Sequence, residues 1–136
     1  MREHRHRLRV IYGDTDMMGV VYYANYFRYF EAGRNELLRA AGLEYRAFES
    51  MGYMLPVTDA TAKYHASARY DDVLDLTTSV ERVRRGSLIM TYRLEREDPE
   101  GVTLIATGAT THACLDGRGR VARFPDVFRE ALAEKP

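Results

Sequence analysis

Leu8, Val10 and Tyr12 alternate with Arg7, Arg9 and Ile11, and this period of two predicts a half-buried strand that stops at Gly13. From Asn25 to Ala41 the pattern changes. Phe27, Phe30, Arg34, Leu37, Leu38 and Ala41 recur at steps of three and four, which predicts a helix with one apolar face, stopped by Gly42. Gly33 lies in its middle, where it costs roughly 1 kcal/mol against Ala, so close packing is expected there. The small residues Ala106, Gly108, Ala109, Ala113 and Cys114 make the strand over 106–114 the candidate neighbour. Glu44 to Met51 predicts a short second helix ended by Gly52, and Phe124 to Leu132 a C-terminal helix opened by Pro125. Between them, Val57 to Leu115 reads as strand. Leu74, Leu76, Thr78 and Val80 oppose Asp75, Thr77, Ser79 and Glu81, and Leu88, Met90, Tyr92 and Leu94 alternate with Ile89, Thr91, Arg93 and Glu95. Turn signals at Asp71-Asp72, Arg85-Gly86, Asp98 to Gly101 and Asp116-Gly117 make these strands antiparallel hairpins.

A strand, a long helix and then a run of long strands is the order of an α+β domain in which an antiparallel sheet wraps one central helix. No repeat or linker interrupts it, so a single domain over residues 1–136 is expected. One helix covers only one face of a sheet. A homo-oligomer, most simply a two-fold dimer, is therefore expected to cover the other.

Composition narrows the class. Basic and acidic residues balance at 20 each, so no global field recruits nucleic acid or an anionic membrane. The longest apolar stretch, Met17 to Ala24, is far short of the roughly 20 residues that span a bilayer. Cys114 is the only cysteine, and the first residues, Met-Arg-Glu-His-Arg-His-Arg, lack an apolar signal core, so a cytoplasmic location is expected. The histidines stand at 4, 6, 65 and 112, none of them between 14 and 56. His4 and His6 are spaced as a two-ligand arm and His112 shares a sheet face with Cys114. Neither pair has a third ligand, and no metal site is expected. No Gly-x-Ser-x-Gly elbow, Cys-x-x-Cys pair or phosphate-binding glycine loop is present.

The concentrated chemistry is Tyr12-Gly-Asp-Thr-Asp-Met-Met-Gly-Val-Val-Tyr-Tyr-Ala-Asn-Tyr26. Asp14 and Asp16 lie between the first strand and the long helix. A carboxylate in an apolar loop beside a helix N-terminus suits a nucleophile or general base. Turn capping is the competing role for both aspartates.

The segment Tyr12 to Arg39, with its Asp-Thr-Asp-x-x-Gly-Val-Val-Tyr core, the Asn25-Tyr26 pair and Glu31, resembles the hotdog-fold acyl-CoA thioesterases of the 4-hydroxybenzoyl-CoA thioesterase family. Ala68-Arg-Tyr-Asp-Asp72, Thr111 to Asp116 and Arg123-Phe-Pro125 extend the likeness along the chain. The resemblance implies a hotdog fold, Asp16 as the catalytic carboxylate, Asp14 as a loop organiser, and the Tyr23 backbone N–H as oxyanion donor. Many relatives have His where Tyr23 stands here. It implies no cofactor and an acyl-CoA substrate, with Tyr22 and Tyr26 near the acyl group and Arg69, Arg84 and Arg85 at the CoA phosphates. It also implies dimers that pair further into tetramers. Two other functions compete. A hotdog-fold hydratase uses a helix-borne histidine, which the segment 14–56 lacks, and a non-catalytic acyl-CoA or acyl-carrier-protein binding module would not need Asp16.

Overall fold

The computed structural model describes residues 1–133. In chain order it comprises β1 (Glu3–Arg9), α1 (Asn25–Ala40), α2 (Tyr45–Ser50), β2 (Val57–Tyr64), β3 (Val73–Val83), β4 (Ser87–Asp98), β5 (Gly101–Ala113) and α3 (Asp126–Ala133). The strands form one antiparallel sheet in the order β1-β3-β4-β5-β2. The first strand ends at Arg9, earlier than its alternation predicts, because Tyr12–Asp14 turns as a single 3-10 element.

The inward residues of the sheet, Leu74, Leu76 and Val80 on β3 and Leu88, Met90, Tyr92 and Leu94 on β4, are buried in one core with the apolar side chains of α1 and α3. Phe30 of α1 stacks on Tyr92 at 4.5 Å between ring centroids. The buried stripe of α1 is Tyr26, Tyr29, Phe30, Gly33, Leu37 and Leu38. It is rotated from the expected face, leaving Phe27 and Arg34 half-buried at its edge. Gly42, at φ +74°, closes the helix, and the Leu43 N–H reaches the Leu38 carbonyl at 2.7 Å.

Gly33 has a different neighbour from the one the small residues suggest. A Cβ on Gly33 would lie 2.4 Å from Leu76 Cδ2 and 2.5 Å from Thr78 Oγ1, both on β3. The glycine of β5, Gly108, instead makes room for the Phe30 ring. Helix and sheet interlock through two glycines, one on each surface.

The outer sheet face carries Asp75, Thr77, Ser79, Thr91, Thr107 and Thr111, all half-buried. Val73, Ile89, Ala109 and Ala113 share that face, which is therefore mixed, and less apolar than the long apolar strands predict. The unpartnered feature is an edge. Strand β2 is exposed along its length except at Ala62, and its outer side carries no neighbouring strand. The opposite edge strand, β1, exposes Arg5, Arg7 and Arg9, charges that discourage strand addition.

His112 and Cys114 belong to the core. Both are buried. His112 Nε2 lies 2.8 Å from Thr110 Oγ1, which is 2.6 Å from the Tyr92 hydroxyl, itself a hydrogen-bond acceptor of Arg34 at 3.2 Å. Burial, with the nearby Arg34 charge, pushes the His112 imidazole down to about 4, and burial pushes the Cys114 thiol up to about 11. Neither is poised to react near neutral pH. No helix among the described residues is long and apolar enough to cross a membrane.

Candidate active site

The segment between β1 and α1 folds into a tight double turn whose bonds are mostly its own. The Asp16 N–H donates to the Val20 carbonyl and the Gly19 N–H to the Asp16 carbonyl, both at 2.9 Å, while Gly19 takes φ +78°. Thr15 and Val21 form an antiparallel bridge beneath it. The loop is tied to the connection between β2 and β3 through Ala68, whose carbonyl accepts the Val21 N–H at 2.8 Å. Ala68 is itself held in place by its neighbours. Arg96 donates to the Ser67 carbonyl at 3.1 Å and pairs with Asp72 at 2.8 Å and Asp98 at 2.9 Å.

The two aspartates have separated roles. Asp14 is buried, and its Oδ2 accepts the Tyr29 hydroxyl at 2.8 Å and the Ile11 N–H at 3.2 Å, while Arg28 lies 3.5 Å from Oδ1. Its carbonyl accepts the Tyr22 N–H and the Asn25 side chain. Burial and the hydrogen bond to Asp14 push the Tyr29 phenol far up, so it stays a donor. Asp14 thus joins loop to helix, as a loop organiser should. Asp16 is only half-buried, and its Oδ1 accepts the Met18 N–H at 2.9 Å. Its other oxygen accepts nothing from the described residues.

A cleft of about 460 Å³ opens beside Asp16. Its walls are Met18, Val20 and Val21 from the loop, Tyr22, Tyr23 and Tyr26 at the start of α1, and Tyr64 to Ser67 from the end of β2. The aromatic rings touch in series: Tyr22 and Tyr23 at 4.8 Å, Tyr23 and Tyr64 at 6.2 Å, Tyr64 and Tyr26 at 5.2 Å. Asp16, Tyr22, Tyr23 and Tyr26, all singled out in the sequence, therefore share one cleft. The N–H groups of Tyr23 and Ala24, at the positive end of α1, donate to no acceptor among the described residues. Such donors suit a developing oxyanion. Met18 lines the cleft while 78% exposed, and its neighbour Met17 stands fully in solvent.

The arginines are divided. Arg69 lies against the loop, with Nη1 3.9 Å from where a Gly19 Cβ would be. Arg84 and Arg85 lie in the β3–β4 turn, at the other end of the sheet. Tyr64 pairs with Ala106 and Ala106 with Leu94, and Ser87 is seven residues from Leu94 along β4. At about 3.3 Å per residue that is about 23 Å. Within one chain the two do not meet the cleft.

Sequence reasoning missed the far wall. Tyr64, His65, Ala66 and Ser67 reach the cleft because β2 is the neighbour of β5, a pairing that no local pattern announces. His65 stands on the chain leaving β2, and its Nε2 is 3.2 Å from Thr107 Oγ1. A histidine borne on the central helix, as a hydratase would require, is not present.

Comparison with known proteins places this geometry in context. Residues 10–132 match the model of a family described as the thioesterase-like superfamily. A putative esterase from Aquifex aeolicus is 31% identical over 129 residues, covering 95% of this chain and 97% of that one. The acyl-CoA thioester hydrolase YbgC of Escherichia coli is 34% identical over 109 residues, 80% of this chain and 79% of the other. Among solved structures, an Asp-to-Asn mutant of 4-hydroxybenzoyl CoA thioesterase complexed with 4-hydroxybenzoyl CoA superposes with a TM-score of 0.89 at 25% identity, covering 98% of this chain and 100% of that one.

Proposed function

The chain belongs to the thioesterase-like superfamily, with the hotdog fold of the acyl-CoA thioesterases, and from that premise we propose how it hydrolyses an acyl-CoA thioester. The observation that carries the proposal is the meeting, in one aromatic-walled cleft, of the half-buried Asp16 carboxylate with the unpaired N–H of Tyr23. The thioester carbonyl oxygen accepts the Tyr23 N–H, which is stabilised as a donor by the α1 N-terminus. Asp16 then attacks the carbonyl carbon to form a mixed anhydride, or removes a proton from an attacking water. On the first path the C–S bond breaks to release CoA thiolate, and water then hydrolyses the anhydride, regenerating Asp16. On the second the attacking water displaces the thiolate directly. Either path ends in CoA thiol, its proton taken from water, and a free carboxylic acid. Met18 N–H holds Oδ1, which leaves Oδ2 to face the carbonyl carbon. The acyl group lies against Tyr22 and Tyr26. The test is release of free thiol from a panel of acyl-CoAs. Turnover of at least one member is expected, and no thiol from any of them would overturn the proposal.

The exposed β2 edge supports a dimer built by strand pairing. Two copies of β2 aligned antiparallel about Thr61 would set Asp59 of each opposite Lys63 of the other. That alignment also brings the far end of one sheet to the cleft of the other, because Val57 pairs with His112 and His112 with Leu88. At about 4.8 Å per strand, β4 of the second copy then lies about 14 Å from β2 of the first. Arg84 and Arg85 of one copy thereby come within reach of a CoA bound in the other. Sedimentation at micromolar concentration is expected to give a dimer or a tetramer built from dimers, and an active monomer would contradict both the edge pairing and the shared site.

The arginines are assigned to binding alone. Replacing Arg84 and Arg85 by Glu is expected to raise KM for CoA esters about tenfold with kcat within twofold, since contacts equal in ground and transition states leave kcat unchanged. Arg46→Glu on α2 is the charge control. Equal KM values for the double variant and the control would move the phosphate site to Arg69 or to the turn over 118–123.

A further inference from the structure

Tyr64 is the last residue of β2, outside the loop and helix that supply the other site groups. Its hydroxyl donates to the Tyr23 carbonyl at 3.1 Å, while its ring rests against Tyr23 and Tyr26. The Tyr23 carbonyl also accepts the Tyr26 N–H at 3.3 Å, the first turn of bonding into α1. The carbonyl of Tyr23 and the N–H of Ala24 belong to one rigid peptide plane, and the Tyr23 N–H is attached to the same residue. A bond that holds this carbonyl therefore limits rotation of the Ala24 N–H, whereas the Tyr23 N–H belongs to the preceding peptide and is not held by it. It also polarises the peptide, since a carbonyl that accepts a hydrogen bond leaves its own N–H a stronger donor.

We infer that Tyr64 is a positioning residue for thioester hydrolysis, whose phenolic O–H fixes and polarises the Tyr23–Ala24 peptide so that the Ala24 N–H stands as a second oxyanion donor beside the Tyr23 N–H. The inference rests on the assignment of Asp16 and the Tyr23 N–H as the reacting site. It adds a contribution from the sheet edge to a site otherwise built by the β1–α1 segment. Hydrogen bonding by Tyr64 acts when charge develops on the carbonyl oxygen, so its loss falls on kcat. The ring is a wall of the cleft, so its loss falls on KM.

Tyr64→Phe keeps the ring and removes the donor. With the best of benzoyl-CoA, hexanoyl-CoA and palmitoyl-CoA as substrate, kcat is expected to fall about tenfold with KM within twofold, less than the roughly hundredfold loss of a direct oxyanion donor. Tyr64→Leu should lose the same factor in kcat and raise KM as well. In the 15N spectrum of the full-length protein, the Ala24 amide should shift in Tyr64→Phe, a change that does not depend on which residue reacts. Wild-type kcat in Tyr64→Phe beside an inactive Asp16→Asn overturns the role of Tyr64 and leaves the site standing. Full activity in Asp16→Asn overturns the site itself. An unmoved Ala24 amide overturns the proposed coupling in either case.

Discussion

Asp16→Asn is expected to lower kcat more than a hundredfold while leaving the fold and KM almost unchanged. Among the described residues the carboxylate accepts one hydrogen bond, from the Met18 N–H to Oδ1, and an amide oxygen accepts that bond equally well. The loop keeps its other ties, the Asp16 N–H to the Val20 carbonyl and the Val21 N–H to the Ala68 carbonyl. What the amide cannot do is attack a carbonyl carbon or take a proton from water. The loss therefore lies in the chemical step. Asp14→Asn should behave in the opposite manner. Asp14 is buried and bonded to Tyr29, Ile11 and Arg28, so its replacement disturbs the seat of α1 and lowers stability together with activity. Steady-state kinetics paired with thermal melts for the two variants separates these outcomes.

Gly108→Ala is expected to cost about 3 kcal/mol of stability, at the upper end of overpacking penalties. Its Cβ would lie 2.4 Å from Phe30 Cε2, 2.9 Å from Phe30 Cζ and 2.8 Å from the Thr61 carbonyl oxygen. Phe30 is fully buried and stacked on Tyr92, so the ring has nowhere to go. The Thr61 oxygen is backbone of the paired strand, and moving it breaks the β2–β5 ladder that carries Tyr64 to the cleft. Gly33→Ala meets side-chain atoms of Leu76 and Thr78 and no backbone atom, and it regains about 1 kcal/mol of helix propensity, so it is expected to cost less. Chemical denaturation of the two variants checks the order. A Gly108→Ala midpoint equal to that of the wild type would mean that helix and sheet are less tightly interlocked than the distances require.

The local elements were legible because each is written in a short window. The alternation of Leu74, Leu76, Thr78 and Val80 against Asp75, Thr77 and Ser79 marks β3, and the hairpin turn at Pro99-Glu100 follows from its own residues. The loop from Asp14 to Tyr26 was legible as a candidate site because its carboxylates, glycine and aromatics lie within one segment. Facts of strand order were not. Gly33 was matched to the strand rich in small residues, whereas β3 is the strand that crosses it, and only the sheet order decides that. Tyr64 and Arg84 illustrate the same limit. Each belongs to a plain strand or turn in sequence, and its distance from Asp16 depends on register across several strands. The outer face of the sheet was read as needing cover because a helix protects only one side. Its threonines, serine and aspartate are interleaved with Val73, Ile89, Ala109 and Ala113, and the surface with unpaired backbone is the edge of β2.

The central claim is that the thioester carbonyl reacts between Asp16 and the Tyr23 N–H. A crystal structure of the Asp16→Asn protein soaked with its best acyl-CoA tests it most directly, because the amide variant is expected to hold substrate without turning it over. The carbonyl carbon is expected about 3 to 3.5 Å from the Asn side chain, with the carbonyl oxygen about 3 Å from the Tyr23 nitrogen. A thioester bound with its carbonyl away from both groups, while the wild-type protein hydrolyses the same compound, would contradict the account.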